Sequence, residues 1–264
     1  MLQSILRNIP TPCPWRDTVY WYDTLESTNT KAKELAKAGA LHGTVVIAGN
    51  QTAGRGRMGR SFSSPEGMGV YLSVILRLGC TADKLMHLTC AAGVAAMKAV
   101  EAVCGICPDI KWANDLVLGG KKLGGILTEL GFTGNTVDYA IVGIGINCCQ
   151  QTGDFPEELQ DVATSIAMHT GKQVYPALLA AALTEQLFLI DWTLFSKKEQ
   201  LMDTYRQHCI TLGKEIVVIQ NDAKSEATAL DIDADGGLIV RFADGSEKTI
   251  SFGEVSIRGM CGYV

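Results

Sequence analysis

The segment QTAGRGRMGR, residues 51–60, carries three arginines on a backbone rich in glycine. Guanidinium groups pair with carboxylate and phosphate oxygens through two parallel hydrogen bonds. Glycines let backbone N–H groups approach the same oxygens closely. The segment therefore suits a substrate that carries a carboxylate, a phosphate or both, although a solvated loop without a ligand has the same composition.

Glycines 54, 56 and 59 also satisfy G-x-G-x-x-G, the pattern of a dinucleotide-binding turn. That turn requires a helix to begin at the third glycine. Here Ser63, Ser64 and Pro65 follow, and then a strand pattern. We therefore set the dinucleotide interpretation aside, and no Walker A sequence occurs in the chain.

Three further segments place polar groups beside glycines or at the end of an apolar run. In KWANDL (111–116) and KKLGGIL (121–127), Asp115 offers a hard oxygen ligand for Mg²⁺ on a nucleotide. Lys122 offers a positive charge where a reacting carboxylate and an α-phosphate meet. In GIGIN (143–147), the glycines permit close approach and Asn147 supplies an amide. An ordinary hairpin with solvated charges and a plain buried strand remain the alternatives for these segments.

The cysteines and histidines favour no metal or redox centre. The nine cysteines are scattered through apolar stretches and are expected to be reduced packing residues. Cys104 and Cys107 form a C-x-x-C, but a second pair at zinc-site spacing is missing from the sequence. The four histidines show no paired ligand spacing, and we expect His87 to be structural.

The elements that must position these groups alternate between strands and helices. Apolar runs predict strands over 19–26, 44–48, 69–78, 109–118, 123–130 and 138–146. Helical spacing predicts helices over about 29–38, 83–103, 156–168 and 175–209. Ser27 and Thr28 are candidate caps for the first helix. The mixture of paired strands and helices predicts an α/β or α+β domain.

After Leu212-Gly213, the sequence pattern changes to short apolar runs separated by turn residues. Short strands are predicted over 215–220, 225–232, 237–242 and 248–252, with hairpin-type turns at 235–237 and 243–245. We therefore expect a main domain over 1–211 and a small SH3-like β-barrel over 212–264. The small domain is the acidic part of the chain, with five Lys and Arg against nine Asp and Glu from residue 211 onward.

Composition excludes several classes of protein. The chain has 264 residues, of which 19% are charged and 47% hydrophobic, so an unfolded chain is not expected. The net charge of −5 argues against a general nucleic-acid binder. No apolar run reaches the ~18 residues of a transmembrane helix. The N-terminus lacks the apolar core of a secretory signal, and we expect a cytoplasmic protein.

Together these segments resemble bacterial biotin protein ligase, the biotin–[acetyl-CoA-carboxylase] ligase family. The similarity runs in order through Ser27-Thr28-Asn29, QTAGRGRMGR, KWANDL, KKLGGIL and GIGIN, and continues through GLIVRFADG and GEVSIRG. It covers nearly the whole chain after about residue 19. The resemblance implies a mixed-sheet catalytic domain like that of class II synthetases and biotin/lipoate ligases, followed by the SH3-like domain.

The resemblance also implies an activity and a set of roles. Biotin and Mg-ATP would give biotinyl-5′-AMP, and the biotinyl group would pass to one lysine of a biotin carboxyl carrier protein. The catalytic residues would be Lys122 and Arg55. The biotin-binding residues would be Ser27, Thr28, Asn29, Gln51, Arg55, Gly56, Arg57, Lys122 and Gly124. The ATP-binding residues would be Arg57, Phe62, Lys111, Asn114, Asp115, Asn147 and Arg258, with Asp115 also a ligand of Mg²⁺.

The chain departs from the family pattern at two places. Phe62 stands where the family often has a tryptophan that stacks on adenine, so the stacking surface should be smaller but still aromatic. The Ser-Thr-Asn motif begins at residue 27, which predicts the monofunctional form without a DNA-binding domain. We expect no DNA or membrane partner, and a homodimer remains open. The alternatives are a lipoate or octanoate ligase of the same fold and a binding module without catalysis.

Overall fold

A seven-stranded mixed sheet forms the centre of the protein in the computed structural model, which describes residues 1–220 and 223–251 and the backbone of 255–259. Its strands are β1 (Val19–Leu25), β2 (Thr44–Gln51), β3 (Gly69–Leu76), β4 (Asp109–Lys111), β5 (Asp115–Leu118), β6 (Lys121–Thr133) and β7 (Thr136–Asn147). Their order is β1-β2-β3-β7-β6-β5-β4. Only the β1–β2 pair is parallel among these neighbours, and the other pairs are antiparallel.

Helices cover this sheet and complete its core. They are α1 (Leu2–Asn8), α2 (Thr28–Lys37), α3 (Leu88–Cys104), α4 (Ile166–Thr170), α5 (Pro176–Thr193) and α6 (Lys198–Gln207). Ser27 caps α2, because its side chain accepts a hydrogen bond from the Thr30 N–H. The stretch 82–104 is long and apolar enough to cross a membrane by length and composition, but 67% of its most apolar window is buried in the protein. It is therefore placed as a core helix.

The mixed α/β architecture is confirmed, while three element predictions are wrong. The strand predicted over 109–118 is two short strands, because residues 112–114 form a turn that pairs Lys111 with Asp115. The helix predicted over 156–168 reduces to single turns and α4, because the Lys122 backbone bonds to Val162 and Thr164 and holds that segment extended. The helix predicted over 175–209 is interrupted between α5 and α6.

A second, five-stranded antiparallel sheet follows the main sheet. Its strands are β8 (Glu215–Gln220), β9 (Ala223–Ile232), β10 (Leu238–Phe242), β11 (Glu247–Ile250) and β12 (Val255–Gly259), in the order β11-β10-β9-β8-β12. β12 is an additional strand that the sequence patterns did not predict. The small sheet contacts the main domain directly: the Trp112 indole N–H donates to the Gly236 carbonyl at 2.8 Å. Arg206 Nε also donates to the Ile232 carbonyl at 2.7 Å.

The turn before β2 depends on a glycine. Gly43 has φ +77°, and a Cβ built on it would overlap the buried indole ring of Trp15. Gly39 has φ +89°, but a Cβ there would meet nothing within 4 Å. Both positions therefore require a positive φ, which favours glycine, but only Gly43 also lacks space for a Cβ.

We expect Gly43→Ala to lower the free energy of unfolding by roughly 2–5 kcal/mol, the sum of a left-handed alanine and an overpacked core. Gly39→Ala is the control and should cost only about 1–2 kcal/mol, from the backbone alone. Urea denaturation followed by circular dichroism measures both. Equal losses in the two variants would contradict the role assigned to Trp15.

Candidate functional site

A cavity of about 630 Å³ lies over one face of the main sheet. Its walls come from the start of α2, the 51–63 segment, the β4–β5 turn, the start of β6, the end of β7 and residues 155–163. Most of the predicted site residues line it: Ser27, Thr28, Asn29, Gln51, Arg55, Gly56, Arg57, Phe62, Lys111, Asn114, Asp115, Lys122 and Asn147. A volume of this size is typical of a small-molecule site.

The start of α2 brings uncharged polar groups to one end of the cavity. Gln51 Oε1 accepts hydrogen bonds from the Thr28 N–H at 2.8 Å and lies 3.1 Å from the Thr28 hydroxyl. Gln51 Nε2 donates to the Ser64 hydroxyl at 2.7 Å, which fixes the orientation of the amide. Ser73, from the middle of β3, lies 2.8 Å from the Thr28 hydroxyl. At this end of the cavity, the side chains of Thr28 and Gln51 are uncharged hydroxyl and amide groups held in fixed orientations by these hydrogen bonds.

Residues 51–60, the Arg/Gly segment, form one wall of the cavity. Its backbone doubles back on itself, because Gly56 N–H donates to the Arg60 carbonyl and Phe62 N–H to the Gly54 carbonyl. Arg57 contacts the β4–β5 turn, where its Nη1 donates to Asn114 Oδ1 at 3.1 Å. Burial lowers the pKa of Arg57 from its ordinary value, although a guanidinium remains charged. A half-buried cation is thereby held at the cavity wall.

Lys122 and Asp115 form an ion pair inside the cavity. The Lys122 Nζ lies 2.6 Å from Asp115 Oδ1, and the two side chains are 32% and 18% exposed. The pair follows from the antiparallel register of β5 and β6, in which Asp115 faces Gly125. With no side chain at Gly125, the ammonium can cross the strand to the carboxylate.

Asn147 lines the cavity but its amide is already used by the protein. Nδ2 donates to the Thr164 carbonyl at 3.0 Å, and Oδ1 accepts from Gln150 Nε2 at 3.2 Å. These bonds tie the end of β7 to the chain before α4. Asn147 therefore joins two chain segments at the cavity wall. Its Oδ1 can accept one further hydrogen bond, from a ligand.

The Phe62 ring packs between the Arg/Gly segment and the β7 backbone. A Cβ at Gly145 would lie 2.5 Å from the Phe62 ring, so the ring rests directly on the β7 backbone. Its edge contacts Tyr71, with ring centroids 6.5 Å apart and an interplanar angle of 70°. The predicted aromatic side chain is therefore present in the cavity and packs against the β7 backbone.

Two predicted site residues are not among those that line the cavity, and the structure describes the whole residue for only one of them. Gly124 is absent from the lining, and a Cβ there would overlap the carbonyl oxygen of Gly145. Its missing side chain permits the close approach of β6 to β7, and the biotin contact of Gly124 stays a prediction. Arg258 lies on β12 opposite Val217, but its side chain is outside what the structure describes.

No cluster of three or more His, Cys, Asp or Glu side chains suited to a metal ion occurs among the described residues. Asp115 is the carboxylate beside Lys122 in the cavity. One carboxylate suffices for Mg²⁺ when substrate phosphates and waters supply the other ligands, so Asp115 fits an ion that arrives with a nucleotide. The eight described cysteines are free thiols.

Sequence reasoning missed the wall of the cavity that residues 155–163 form. Leu159, Val162 and Ala163 line the cavity from the segment predicted to be a helix over 156–168, and Phe155 lines it from the residue just before that segment. Trp112 lines the cavity too, although the sequence assigned a role only to its neighbours in KWANDL. A signal existed in the apolar spacing of 155–163, but the pairing of that segment with Lys122 joins residues about forty positions apart in the chain.

Comparison with known proteins agrees with this geometry. Residues 21–147 match the Biotin/lipoate A/B protein ligase family, and residues 211–258 match the Biotin protein ligase C terminal domain. The biotin--[acetyl-CoA-carboxylase] ligase of Mycobacterium tuberculosis is 31% identical over 237 residues, which are 87% of this chain and 85% of that protein. The chain belongs to the biotin protein ligases of the biotin/lipoate A/B protein ligase family.

Other relatives extend the comparison. The bifunctional ligase/repressor BirA of Bacillus subtilis is 47% identical over 154 residues, 58% of this chain. The match spans about half (47%) of that relative's length. Among solved structures, the biotin protein ligase from Aquifex aeolicus in complex with biotin and ATP superposes with a TM-score of 0.78. It is 29% identical, and the match covers 92% of this chain and 99% of that one.

The two adjacent glycines of KKLGGIL should respond differently to substitution by alanine. Gly124→Ala should destabilise the protein by roughly 1–3 kcal/mol, because its Cβ overlaps the Gly145 carbonyl. Gly125→Ala should leave stability within about 1 kcal/mol, because its Cβ would sit 3.4 Å from Asp115 Oδ1, an ordinary contact. Thermal denaturation measures both, and a stable Gly124→Ala variant would contradict the packing role.

Proposed function

We propose that this chain is an ATP-dependent biotin protein ligase that forms biotinyl-5′-AMP and transfers biotin to a lysine of a biotin carboxyl carrier domain. The observation that carries the proposal is the division of one cavity into two ends. Hydroxyl and amide groups at the start of α2 suit the ureido ring of biotin. Arg57, Lys111 and Lys122 at the other end suit its carboxylate and the phosphates of ATP. Family membership supports the same assignment.

The first half-reaction brings two anions together. The biotin carboxylate attacks the α-phosphorus of ATP, the bond to the β-phosphate oxygen breaks, and pyrophosphate leaves. Fixed cations must offset the negative charge that accumulates at the reacting centre. We assign this role to Lys122, with Arg55 and Arg57 closing over the carboxylate and the adenylate. The ion pair with Asp115 keeps the Lys122 ammonium in the cavity before substrate binds.

The remaining ATP contacts follow from the cavity walls. We assign the adenine to Phe62, and Lys111, Asn114 and Asn147 to the nucleotide. Asp115 would hold the Mg²⁺ that accompanies ATP, which shields the phosphates from the incoming carboxylate. Arg258, from the small sheet, is proposed to approach the phosphates.

The second half-reaction requires no nucleophile of the ligase itself. The neutral amine of the carrier lysine attacks the carbonyl carbon of the mixed anhydride, an amide bond forms, and AMP leaves with the bonding electrons. The proton lost from the amine passes to solvent or to the leaving phosphate. Because the anhydride is sensitive to water, the Arg/Gly segment is proposed to cover it until the carrier arrives.

The partner and the compartment follow from this activity. A carrier domain of acetyl-CoA carboxylase or of another biotin-dependent carboxylase would supply the lysine, in the cytoplasm. We further propose that residues 1–211 form the catalytic unit and 212–264 the small C-terminal domain.

A panel of acids tests the substrate. The purified chain with Mg-ATP should release pyrophosphate when biotin is present, and not with lipoate or octanoate, because hydroxyl and amide groups in the first end of the cavity need a polar ring to pair with. A coupled phosphate assay measures the release. Lipoate-dependent release would support the lipoate ligase alternative, and release with none of the acids would support a binding module without catalysis.

Lys122 should be the residue whose loss most impairs adenylation. Lys122→Ala removes the fixed charge at the reacting centre, which typically slows a reaction ~10²–10³-fold. Given synthetic biotinyl-5′-AMP, the same variant should retain a larger share of transfer, because the anhydride is already formed. Single-turnover measurement of each half-reaction separates the two effects.

Lys121→Ala is the matched control, because Lys121 is the preceding residue on β6 and does not line the cavity. We expect near-normal adenylate synthesis from it. Full activity in Lys122→Ala, or an equal defect in Lys121→Ala, would show that the charge has been assigned to the wrong lysine.

A further inference from the structure

Glu129 lies on β6 beside the cavity and has no part in the mechanism above. Its carboxylate contacts three basic or amide groups from two other elements: Lys33 Nζ at 2.8 Å, Asn29 Nδ2 at 3.0 Å and Arg55 Nη1 at 3.2 Å. Two of these partners, Asn29 and Arg55, line the cavity. The Glu129 side chain is only 18% exposed, so water screens these contacts less than it screens a surface pair.

The Glu129 carboxylate is negatively charged at neutral pH. Burial acts to raise its pKa, but the hydrogen bonds from Lys33 and Asn29 outweigh burial and hold the pKa below its ordinary value. An ionised carboxylate can only accept hydrogen bonds. Each group that faces Glu129 must therefore present a donor.

This requirement fixes the orientation of the Asn29 amide. Nδ2 of Asn29 donates to the Glu129 carboxylate and to the Leu127 carbonyl, which are both acceptors. Oδ1 must then point the other way, where it accepts from the Ser73 hydroxyl at 2.6 Å. This oxygen packs against Gly143, which lines the cavity with Asn29, and an amide oxygen can accept a second hydrogen bond. The opposite orientation would place two acceptors against each other at Glu129.

The same carboxylate anchors the Arg/Gly segment. Arg55 stands between Gly54 and Gly56, and 46% of its side chain is exposed. Its ion pair with Glu129 joins this glycine-flanked position to a strand of the central sheet. The pair therefore opposes the outward motion that the glycines would otherwise permit.

We propose that Glu129 is a positioning residue for biotin: it orients the Asn29 carbonyl toward the ureido N–H groups and holds Arg55 over the cavity before substrate binds. The inference rests on the proposed function, because it assigns the ureido ring to the Asn29 end. Glu129 acts through its two neighbours and does not itself touch the substrate.

Glu129→Gln tests the proposal with two measurements. The amide keeps the size of the side chain, but it loses the charge that holds Arg55 and can present a donor to Asn29. In the ligand-free protein, we expect trypsin to cleave after Arg55 roughly three- to tenfold faster, with cleavage elsewhere unchanged. We also expect the KM for biotin to rise by a similar factor, while kcat for adenylate formation and the KM for ATP change less.

Two variants complete the experiment. Glu34→Gln removes the carboxylate of an exposed pair with Lys31 on the same helix, and it should behave like the wild type in both measurements. Glu129→Asp keeps the charge and should recover part of the loop protection. It also provides a second test if Glu129→Gln fails to fold.

The outcomes separate this inference from the proposed function. Wild-type protection and wild-type biotin KM in Glu129→Gln would overturn the inference. So would faster cleavage at every site together with a lower melting temperature, because that pattern indicates a purely structural role. Failure of the wild-type protein to release pyrophosphate with biotin would instead overturn the proposed function, and the cleavage comparison would still report on the Glu129–Arg55 contact.

Discussion

The cavity depends on two positions of β7 that have no side chain. Gly143 and Gly145 are two residues apart, so they face the same side of the sheet. A Cβ at Gly143 would overlap the Asn29 amide, and one at Gly145 would lie 2.5 Å from the Phe62 ring. The start of α2 and the end of the Arg/Gly segment can therefore rest directly on the strand backbone. Any larger residue at either position would displace a wall of the cavity.

Compensated charge is the second constraint on the site. Lys122 contacts the carboxylate of Asp115, and Arg55 contacts that of Glu129. Without such partners, cations held close together in a partly buried site would repel each other and would not regain the hydration they lose there. The pairs keep the cations in place while leaving part of each side chain exposed to an incoming anion. In the proposed reaction, the carboxylate and the phosphates of the substrates take over that compensation.

The small sheet contributes to the cavity through the β4–β5 turn. Trp112 is 3% exposed, lines the cavity and donates its indole N–H to the Gly236 carbonyl in the turn before β10. The backbone N–H of Trp112 donates a second hydrogen bond, to the Thr211 hydroxyl at 3.0 Å. The position of this cavity wall is thus set jointly by Thr211, which precedes the small sheet, and by Gly236 within it. A change in the small sheet can reach the site through one side chain.

Local sequence determined the elements and most of the residues of the site. Alternating and continuous apolar runs predicted the long strands, and the Arg/Gly, KWANDL and GIGIN segments contained fifteen of the residues that line the cavity. The tertiary structure decided what those segments do to each other. Glu129 lies 100 positions from Asn29, Gly124 packs against a neighbouring strand, and residues 162–164 pair with Lys122 instead of forming a helix. Periodicity and turn chemistry describe contacts within a few residues of the chain, whereas these contacts arise only when distant strands align in the sheet.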